Sequence, residues 1–381
     1  MTQRSSRSQK ESPTQRVQSI FSTLTPLLLL CLCPPLVFLL WFTQVQLDGS
    51  LLKLSRIVRN EGLLHTLQMI WLPRLFGSVL AWKLLGVFVA VELALLRFVP
   101  GRLCSGSPIA NGQTHREVNN GLASYAITVG LYLTCTQVLH LFPPSILYDH
   151  LGDLLGALTW LALLFCVLPL RMHSQRSVLQ LATCRIGVMS LPLLILSFAS
   201  KQQELSGLQD SLICAVGIQL LSIAQFFHSE VRTLQMLDGT NRRSVFYLCW
   251  GSLVCLPLLY SSSTLYLVSH PITLGLPLSV ILCVLGTLAI VTSHLTQAAR
   301  QQSDESGGQT RSSDSAPKRF LGSDSYGPAR HIHPLPALVT TFLWTVPALF
   351  DAALPYVYFA LLLVLFSTHS LFGVVGNRQD K

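Results

Sequence analysis

Charged residues are scarce in this chain: they make up 11% of its 381 residues, against about 25% in a typical soluble protein. Hydrophobic residues make up 50%, and the mean hydropathy is +0.52. These values exclude an ordinary soluble globular protein and predict a polytopic membrane protein. The net charge of +9 is spread over loops and termini and forms no block, so we expect no nucleic-acid partner.

Several sequence motifs are also missing. The ten cysteines include no CxxC pair and lie mostly inside apolar runs, which argues against a disulfide framework and against a zinc site. The chain contains no Walker motif, no GxGxxG and no HExxH, so a soluble nucleotide-binding domain is not expected. Residues 1–20 form a polar, basic tail without a small-residue cleavage site, which predicts a retained first helix behind a cytosolic tail.

Apolar stretches of about 20 residues, the length needed to cross a bilayer, recur along the chain. They predict an all-α fold with about ten transmembrane helices. The predicted spans are residues 21–45, 75–99, 121–142, 151–170, 181–199, 208–227, 246–268, 271–292, 334–350 and 352–372. Eight spans form a core over residues 21–300, and two more lie within 326–381. The Ser/Gly/Asp-rich residues 301–325 between them predict a flexible cytosolic loop.

Lys and Arg residues alternate between the two sides of these spans. With the N-terminus in the cytosol, most of those outside the spans fall in cytosolic segments, and the loop after the fifth span carries only Lys201, which fixes the predicted orientation. The exception is the basic loop 47–74, whose pattern LLKLSRIVRNEGLLHTL is typical of an amphipathic helix lying in the interface. The seventh span is interrupted by Pro257 and by the serines 261–263, as happens where a helix faces a polar cavity or a neighbouring helix.

The stretch YGPARHIHP, Tyr326–Pro334, places Arg330, His331 and His333 directly before the ninth span. Two interpretations are open. The cluster is ordinary flanking charge that sets orientation, or it binds an anionic group such as a cofactor phosphate at the membrane surface.

Five stretches, taken in order from about Glu92 to the C-terminus, resemble the membrane-bound sterol reductases, most closely the plant-type sterol Δ7 reductases. They are ELALLRFVPG (Glu92–Gly101), PPSILYDHLGDLLGAL (Pro143–Leu158), CRIGVMS with FASKQQELSG (Cys184–Gly207), FYLCWGSLVCLPLLYSSSTLYLVSHPITLG (Phe246–Gly275), and ARHIH with FLWTVPALFDAALPYVYF (Ala329–Phe359).

This resemblance implies a multi-pass protein of the endoplasmic reticulum membrane that reduces a sterol double bond with NADPH. A proton is added to the alkene and the cofactor hydride quenches the resulting carbocation. The sterol requires an apolar slot, for which Trp250, Tyr260 and Tyr266 are candidates. Aromatic residues in such positions more often pack against other side chains or face lipid than contact a ligand.

The family's cofactor-binding residues carry over to particular positions. The matching positions are Arg300, Leu321, Tyr326, Arg330, His331 and His333. The chain departs from the family pattern where Thr296 replaces a Lys and where Ala337 and Gly373 replace two acids. The family's polar loop between the fourth and fifth spans is also shortened here.

An acid is needed to protonate the alkene. The family's Asp-x-x-His-Asp-Arg element before the seventh span survives only as Asp238 and Arg243, so Asp238 is the predicted catalytic acid. The other available acids are Glu92, Glu230 and Asp351.

Two functions remain open from the sequence. The first is an NADPH-dependent sterol Δ7 reductase, and the second is a relative of the same fold that binds sterol without turnover. An incomplete gene model would also account for the shortened segments and for the end at Lys381. A transporter would need internal repeats or paired intramembrane charges, which the sequence does not suggest. The isoprenylcysteine methyltransferases share a similar C-terminal cofactor element but have far fewer spans.

Overall fold

The computed structural model describes residues 13–108, 114–171, 176–231, 242–309 and 335–379. The elements of the first half are α1 (Pro13–Val45), α2 (Leu51–Glu61), α3 (Leu63–Trp71), α4 (Val79–Phe98), β1 (Arg102–Pro108), β2 (Thr114–Asn119), α5 (Gly121–Leu133), α6 (Ile146–Asp149) and α7 (Leu151–Arg171). A 3₁₀ turn, Leu72–Arg74, follows α3, and a π-helical turn, Thr134–Val138, extends α5.

The second half begins with α8 (Arg176–Ser206), α9 (Asp210–His228) and α10 (Arg242–Trp250). It continues with α11 (Leu256–Leu259), α12 (Ser262–Ser269), α13 (Leu276–Gln309), α14 (Leu335–Thr345) and α15 (Val357–Gln379). A π-helical turn, Gly251–Cys255, joins α10 to α11. Two 3₁₀ turns, Val346–Ala348 and Leu354–Tyr356, lie between α14 and α15.

Six helical segments of the described residues are long and apolar enough to cross a membrane. They are Pro26–Val45, Val79–Phe98, Leu179–Ser206, Asp210–His228, Phe246–Ser269 and Leu276–Ala298. Three further apolar helices, Leu151–Val167, Leu335–Ala348 and Leu354–Thr368, are shorter. The six coincide with predicted spans, so a multi-pass helical membrane protein is confirmed, whereas the count of ten is not.

The core lies around α8. The span within α8 is 89% buried inside the protein, against 11% for the span within α13 and 17% for α4. A helix that is apolar all round and buried belongs at the centre of a bundle, whereas an apolar helix with exposed side chains faces lipid. The helix α8 is therefore the central element that other helices surround.

Two expectations about polar segments need correction. The predicted loop 301–325 is wrong at its start, because α13 continues to Gln309. The fold is helical as predicted, apart from one antiparallel pair of strands, β1 and β2, which the sequence did not predict. Asn111 and Gly112, which lie outside the described residues, form the dipeptide most typical of hairpin turns, and this was the overlooked signal.

The predicted interruption of the seventh span is confirmed. After the π-helical turn, α11 ends at Leu259 and α12 begins at Ser262. Pro257 lacks an amide hydrogen and so cannot bond to the preceding turn. At the break between α11 and α12, Ser261 Oγ donates to the Pro257 carbonyl. Neighbouring helices supply further bonds, since Gln219 Nε2 of α9 donates to the Tyr260 carbonyl at 3.0 Å.

The basic loop between the first two spans forms the predicted helices, α2 and α3, which break at Gly62 with a φ of +83°. Ser50 caps α2 by accepting from the Lys53 amide at 3.3 Å, and Lys53 Nζ reaches Asp48 at 3.0 Å. No residue of α2 is buried inside the protein. Its location in the membrane interface stays a prediction.

The helices α9 and α13 run side by side. At one end, the Asp210 carboxylate accepts from the Gly275 amide at 2.7 Å and from Ser279 Oγ at 3.4 Å. At the other end, the rings of His228 and His294 lie 5.3 Å apart between centroids. The stretch of α13 that carries Arg300 therefore begins just beyond the end of α9.

Candidate functional site

The residues that the sequence assigned to cofactor binding and catalysis lie largely beyond the described part of the chain. Arg300 is in α13, but only its backbone is described. Outside the described residues are Asp238, Leu321, Tyr326, Arg330, His331 and His333. Their assignments stay predictions.

The three aromatic candidates for the sterol slot are all buried but lie in different surroundings. Trp250 stacks on Phe246 with ring centroids 6.0 Å apart. Tyr260 contacts Trp344 at 4.9 Å between centroids, and its hydroxyl donates to the Gln219 carbonyl at 3.2 Å. Tyr266 stacks on His270 at 4.1 Å. The structure does not bring these three residues together around one slot.

Two cavities flank the start of α7. The apolar one, about 60 Å³, is lined by leucines of α4, α7 and α8 together with Phe88 and Ser190. The polar one, about 280 Å³, includes Arg74 and Asp149. Sites for drug-sized ligands usually measure about 300–1,000 Å³, so neither cavity by itself matches a ligand of sterol size.

The charged side chains that line or border the polar cavity are paired. The Arg74 guanidinium lies over the Trp41 ring, 4.7 Å from its centroid, and Lys201 Nζ pairs with Asp149 at 2.8 Å. Burial raises the pKa of the Tyr148 hydroxyl, while Lys201 opposes the rise. These contacts stabilise the end of the bundle that the sequence predicts to face away from the cytosol.

The strongest concentration of buried charge lies at the other end of the bundle. Arg185 of α8 and Glu230, two residues beyond α9, are 1% and 0% exposed. Arg185 Nε donates to Glu230 Oε1 at 3.1 Å, and Nη2 donates to Oε2, which makes a bidentate ion pair. Burial raises the pKa of the Glu230 carboxyl, and the Arg185 guanidinium opposes that rise. The fork geometry favours the ionised carboxylate.

Asn120 extends this ion pair to two more helices. Arg185 Nη1 donates to Asn120 Oδ1 at 2.7 Å, immediately before α5. Asn120 Nδ2 in turn lies 2.8 Å from the Val99 carbonyl and within 3.4 Å of the Leu95 and Leu96 carbonyls. These carbonyls lie at the C-terminal end of α4 and at the residue that follows it, where the helix leaves carbonyl groups available to side-chain donors. One amide side chain thus connects the end of α4 to the ion pair.

Gly121 lets α5 approach the ion pair closely. A Cβ at this position would overlap Glu230 Oε2 and lie 2.9 Å from the Phe227 carbonyl oxygen. Any larger residue would displace the carboxylate from Arg185. The Asn-Gly pair at 120–121 is therefore required by packing as well as by hydrogen bonding.

Glu92 lies one helical turn before Leu96 on α4, further inside the predicted membrane span, and is 1% exposed. Thr128 Oγ1 of α5 donates to Glu92 Oε1 at 2.6 Å. Glu92 Oε2 has no hydrogen-bond partner among the described residues, and the same is true of the buried Ser124 Oγ, one turn before Thr128 on α5. Arg185 and Glu230 both act electrostatically on Glu92. The site therefore holds two carboxyl groups and one guanidinium.

The sequence named Glu92 and Glu230 only as spare acids and did not single out Arg185 or Asn120. The available signal was an ionisable residue inside an apolar span, since such residues are rare and usually functional. Glu92 in VAVELALL and Arg185 in LATCRIGV both show it. The pairing of Arg185 with Glu230 could not be predicted from the sequence pattern, because 45 residues separate the two in the chain.

We expect the ion pair to be strongly coupled. Replacing Arg185 by Met leaves a buried carboxylate without a counter-charge, which costs about 3–5 kcal/mol, and Glu230→Leu isolates the cation at a similar cost. The double variant should lose clearly less than the sum of the two single losses. Thermal unfolding of the purified protein in detergent measures all three.

Lys53→Ala is the matched control. The Lys53–Asp48 pair is 52% and 63% exposed, and exposed ion pairs contribute little, so no measurable change is expected. Additive losses in the Arg185 and Glu230 variants would contradict the coupling.

Comparison with known proteins gives a consistent set of relatives. Residues 178–370 match the ergosterol biosynthesis ERG4/ERG24 family. The chain is 31% identical to the 7-dehydrocholesterol reductase of Arabidopsis thaliana, over 93% of this chain and 90% of that protein. It is 25% identical to the 7-dehydrocholesterol reductase of Xenopus laevis, over 75% and 72%. It is 26% identical to the Delta(14)-sterol reductase of Methylotuvimicrobium alcaliphilum, over 89% and 86%.

Proposed function

Because the chain belongs to the ergosterol biosynthesis ERG4/ERG24 family, we propose that it reduces a ring double bond of a sterol with NADPH. The observation that carries this proposal is the 31% identity to a plant 7-dehydrocholesterol reductase across nearly the whole of both chains. Two of the three relatives named above are 7-dehydrocholesterol reductases, which supports the Δ7 bond, and the third is a Delta(14)-sterol reductase. The substrate is therefore a Δ7 sterol that enters from the membrane.

The proposed reaction needs three features of the protein. An acid must protonate the alkene, a hydride must reach the resulting carbocation, and water must be kept away from that cation. The apolar helices around α8 suit the last requirement, because their outer side chains face lipid and their inner ones pack against each other.

We place the protein in the endoplasmic reticulum membrane with ten spans and both ends in the cytosol. The Lys and Arg asymmetry of the loops supports this orientation. The four spans that were not identified by length are supported by helices in the same segments: α5, α7, α14 and α15.

Glycosylation mapping tests this topology. An acceptor site inserted in the loop 143–150 should be modified, because that loop is placed in the lumen. An acceptor inserted near Ser312 should stay unmodified, since that segment is placed in the cytosol. The reverse pattern would contradict the orientation.

The cofactor site is proposed at the cytosolic ends of the eighth and ninth spans. Arg300, Arg330 and His331 supply charge for the cofactor phosphates, and Leu321, Tyr326 and His333 complete the site. An Arg fork can bind a phosphate with two parallel hydrogen bonds. The position of α13 beside the end of α9 supports a cytosolic location for Arg300.

Replacing Arg330 by Ala should weaken NADPH binding by about ten- to a hundredfold, because a charge-assisted bond worth about 1.5–3 kcal/mol is lost. Titration of the purified protein with NADPH measures it. Arg319→Ala, in the same segment but outside the proposed site, is the control and should bind like the unchanged protein. Equal affinity in all three proteins would mean that Arg330 only flanks the membrane.

Asp238 is the proposed acid for the alkene. The substitutions Ala337 and Gly373 remove two acids that active relatives carry, so we expect slow turnover that depends on Asp238. The same substitutions favour the second candidate function, a protein that binds sterol without reducing it.

Sterol profiling in an ergosterol-producing host distinguishes the two functions. Expression of the chain should lower the level of Δ7 sterols, and Asp238→Asn should abolish the effect while Asp304→Asn, in the following cytosolic segment, should not. Unchanged sterols together with binding of labelled sterol to the purified protein would support the non-catalytic function.

A further inference from the structure

Two buried carboxyl groups share a single cation in the cluster between α4, α5 and α8. Arg185 directs its hydrogen bonds to Glu230 and Asn120. Glu92 receives one hydrogen bond, from Thr128 at 2.6 Å. A guanidinium and two carboxylates would leave a net negative charge inside a membrane span.

An unpaired charge in this position is costly. Moving an ionised carboxyl group into a low-dielectric interior without a partner is so unfavourable that the group usually takes up a proton instead. Glu230 is stabilised as a carboxylate by its bidentate contact with Arg185. The remaining acid, Glu92, becomes neutral by holding a proton.

Among the side chains that the structure describes, the other helices that pack on α4 offer no second counter-charge near Glu92. The helix α5 contributes Ser124 and Thr128, which are neutral. The face of α7 that packs against α4 lines the apolar cavity with Leu151, Leu154 and Leu158. The charged groups that act on Glu92 are Arg185 and Glu230, and these already neutralise each other.

The proton would be bound to Oε2 of Glu92. Oε1 accepts from Thr128, whereas Oε2 is fully enclosed and without a partner among the described residues. The buried Ser124 Oγ, also without a described partner, lies on the same face of α5 as Thr128. Protonation of Oε2 removes the charge from an oxygen that accepts no hydrogen bond from the described residues.

We propose that Glu92 is a neutral carboxylic acid that stores a proton within the membrane and exchanges it with water at the Arg185–Glu230 end of the bundle. In the proposed reduction, which this role presupposes, each turnover consumes one proton and one hydride. The O–H bond of Glu92 breaks as its proton restores the acid that protonated the alkene. The electron pair stays on the Glu92 carboxylate until a proton from water binds there. Glu92 is thus a positioning residue for the proton and not a group that contacts sterol.

Infrared spectroscopy of the purified full-length protein tests the protonation without any need for activity. A protonated carboxyl group has its own carbonyl stretching band, which should persist at a pH where exposed carboxyl groups are ionised. The band should disappear in Glu92→Gln and remain in Glu204→Gln, which removes an exposed carboxylate outside the cluster. Thr128→Val should shift it, because the hydrogen bond to Oε1 is lost, and this milder variant keeps the test decisive if Glu92→Gln fails to fold.

Transfer into heavy water tests the exchange. The band should shift as deuterium replaces the proton while the protein stays folded. A band that is absent from the unchanged protein, or that survives in Glu92→Gln, would overturn the proposal, and so would a band that never exchanges. If the band behaves as expected but the unchanged protein reduces no sterol, the proposed function fails and the neutral, exchanging Glu92 stands.

Discussion

The ion pair between Arg185 and Glu230 is the interaction on which this end of the bundle depends. It joins the central helix α8 to the end of α9, and through Asn120 it reaches the start of α5 and the last carbonyls of α4. Four helices therefore meet at one guanidinium. Because both charges are buried, losing either partner would leave a charge without a counter-charge inside the protein.

The same cluster connects the fold to the proposed chemistry. A sterol reductase must bring a proton into an apolar interior, where a free ion is unstable. In the proposed arrangement, Glu230 pairs with Arg185 and Glu92 holds a proton. The cluster then brings a proton into the apolar interior and carries no net charge. The proposed cofactor residues are assigned to the cytosolic ends of the eighth and ninth spans. In the proposed reaction, proton and hydride would therefore approach from the same face of the membrane.

The sequence predicted the helical architecture well, because a bilayer requires long apolar segments and their composition is easy to detect. Six spans, the interruption at Pro257 and the helices α2 and α3 were confirmed. The hairpin and the extension of α13 to Gln309 were missed, since local propensity in polar segments is a weaker signal. The Arg185–Glu230–Asn120 cluster joins residues far apart in the chain, and such contacts depend on helix packing that composition does not encode.

The most direct test of the proposed sterol reduction identifies the source of each hydrogen atom that the sterol gains. Purified protein would be incubated with 7-dehydrocholesterol and NADPH that carries deuterium at the transferable position, and the sterol analysed by mass spectrometry. The account predicts a reduced sterol that has gained deuterium from the cofactor, and a further deuterium from the solvent when the reaction runs in heavy water. Sterol that binds to the protein yet gains no deuterium from the cofactor would contradict it.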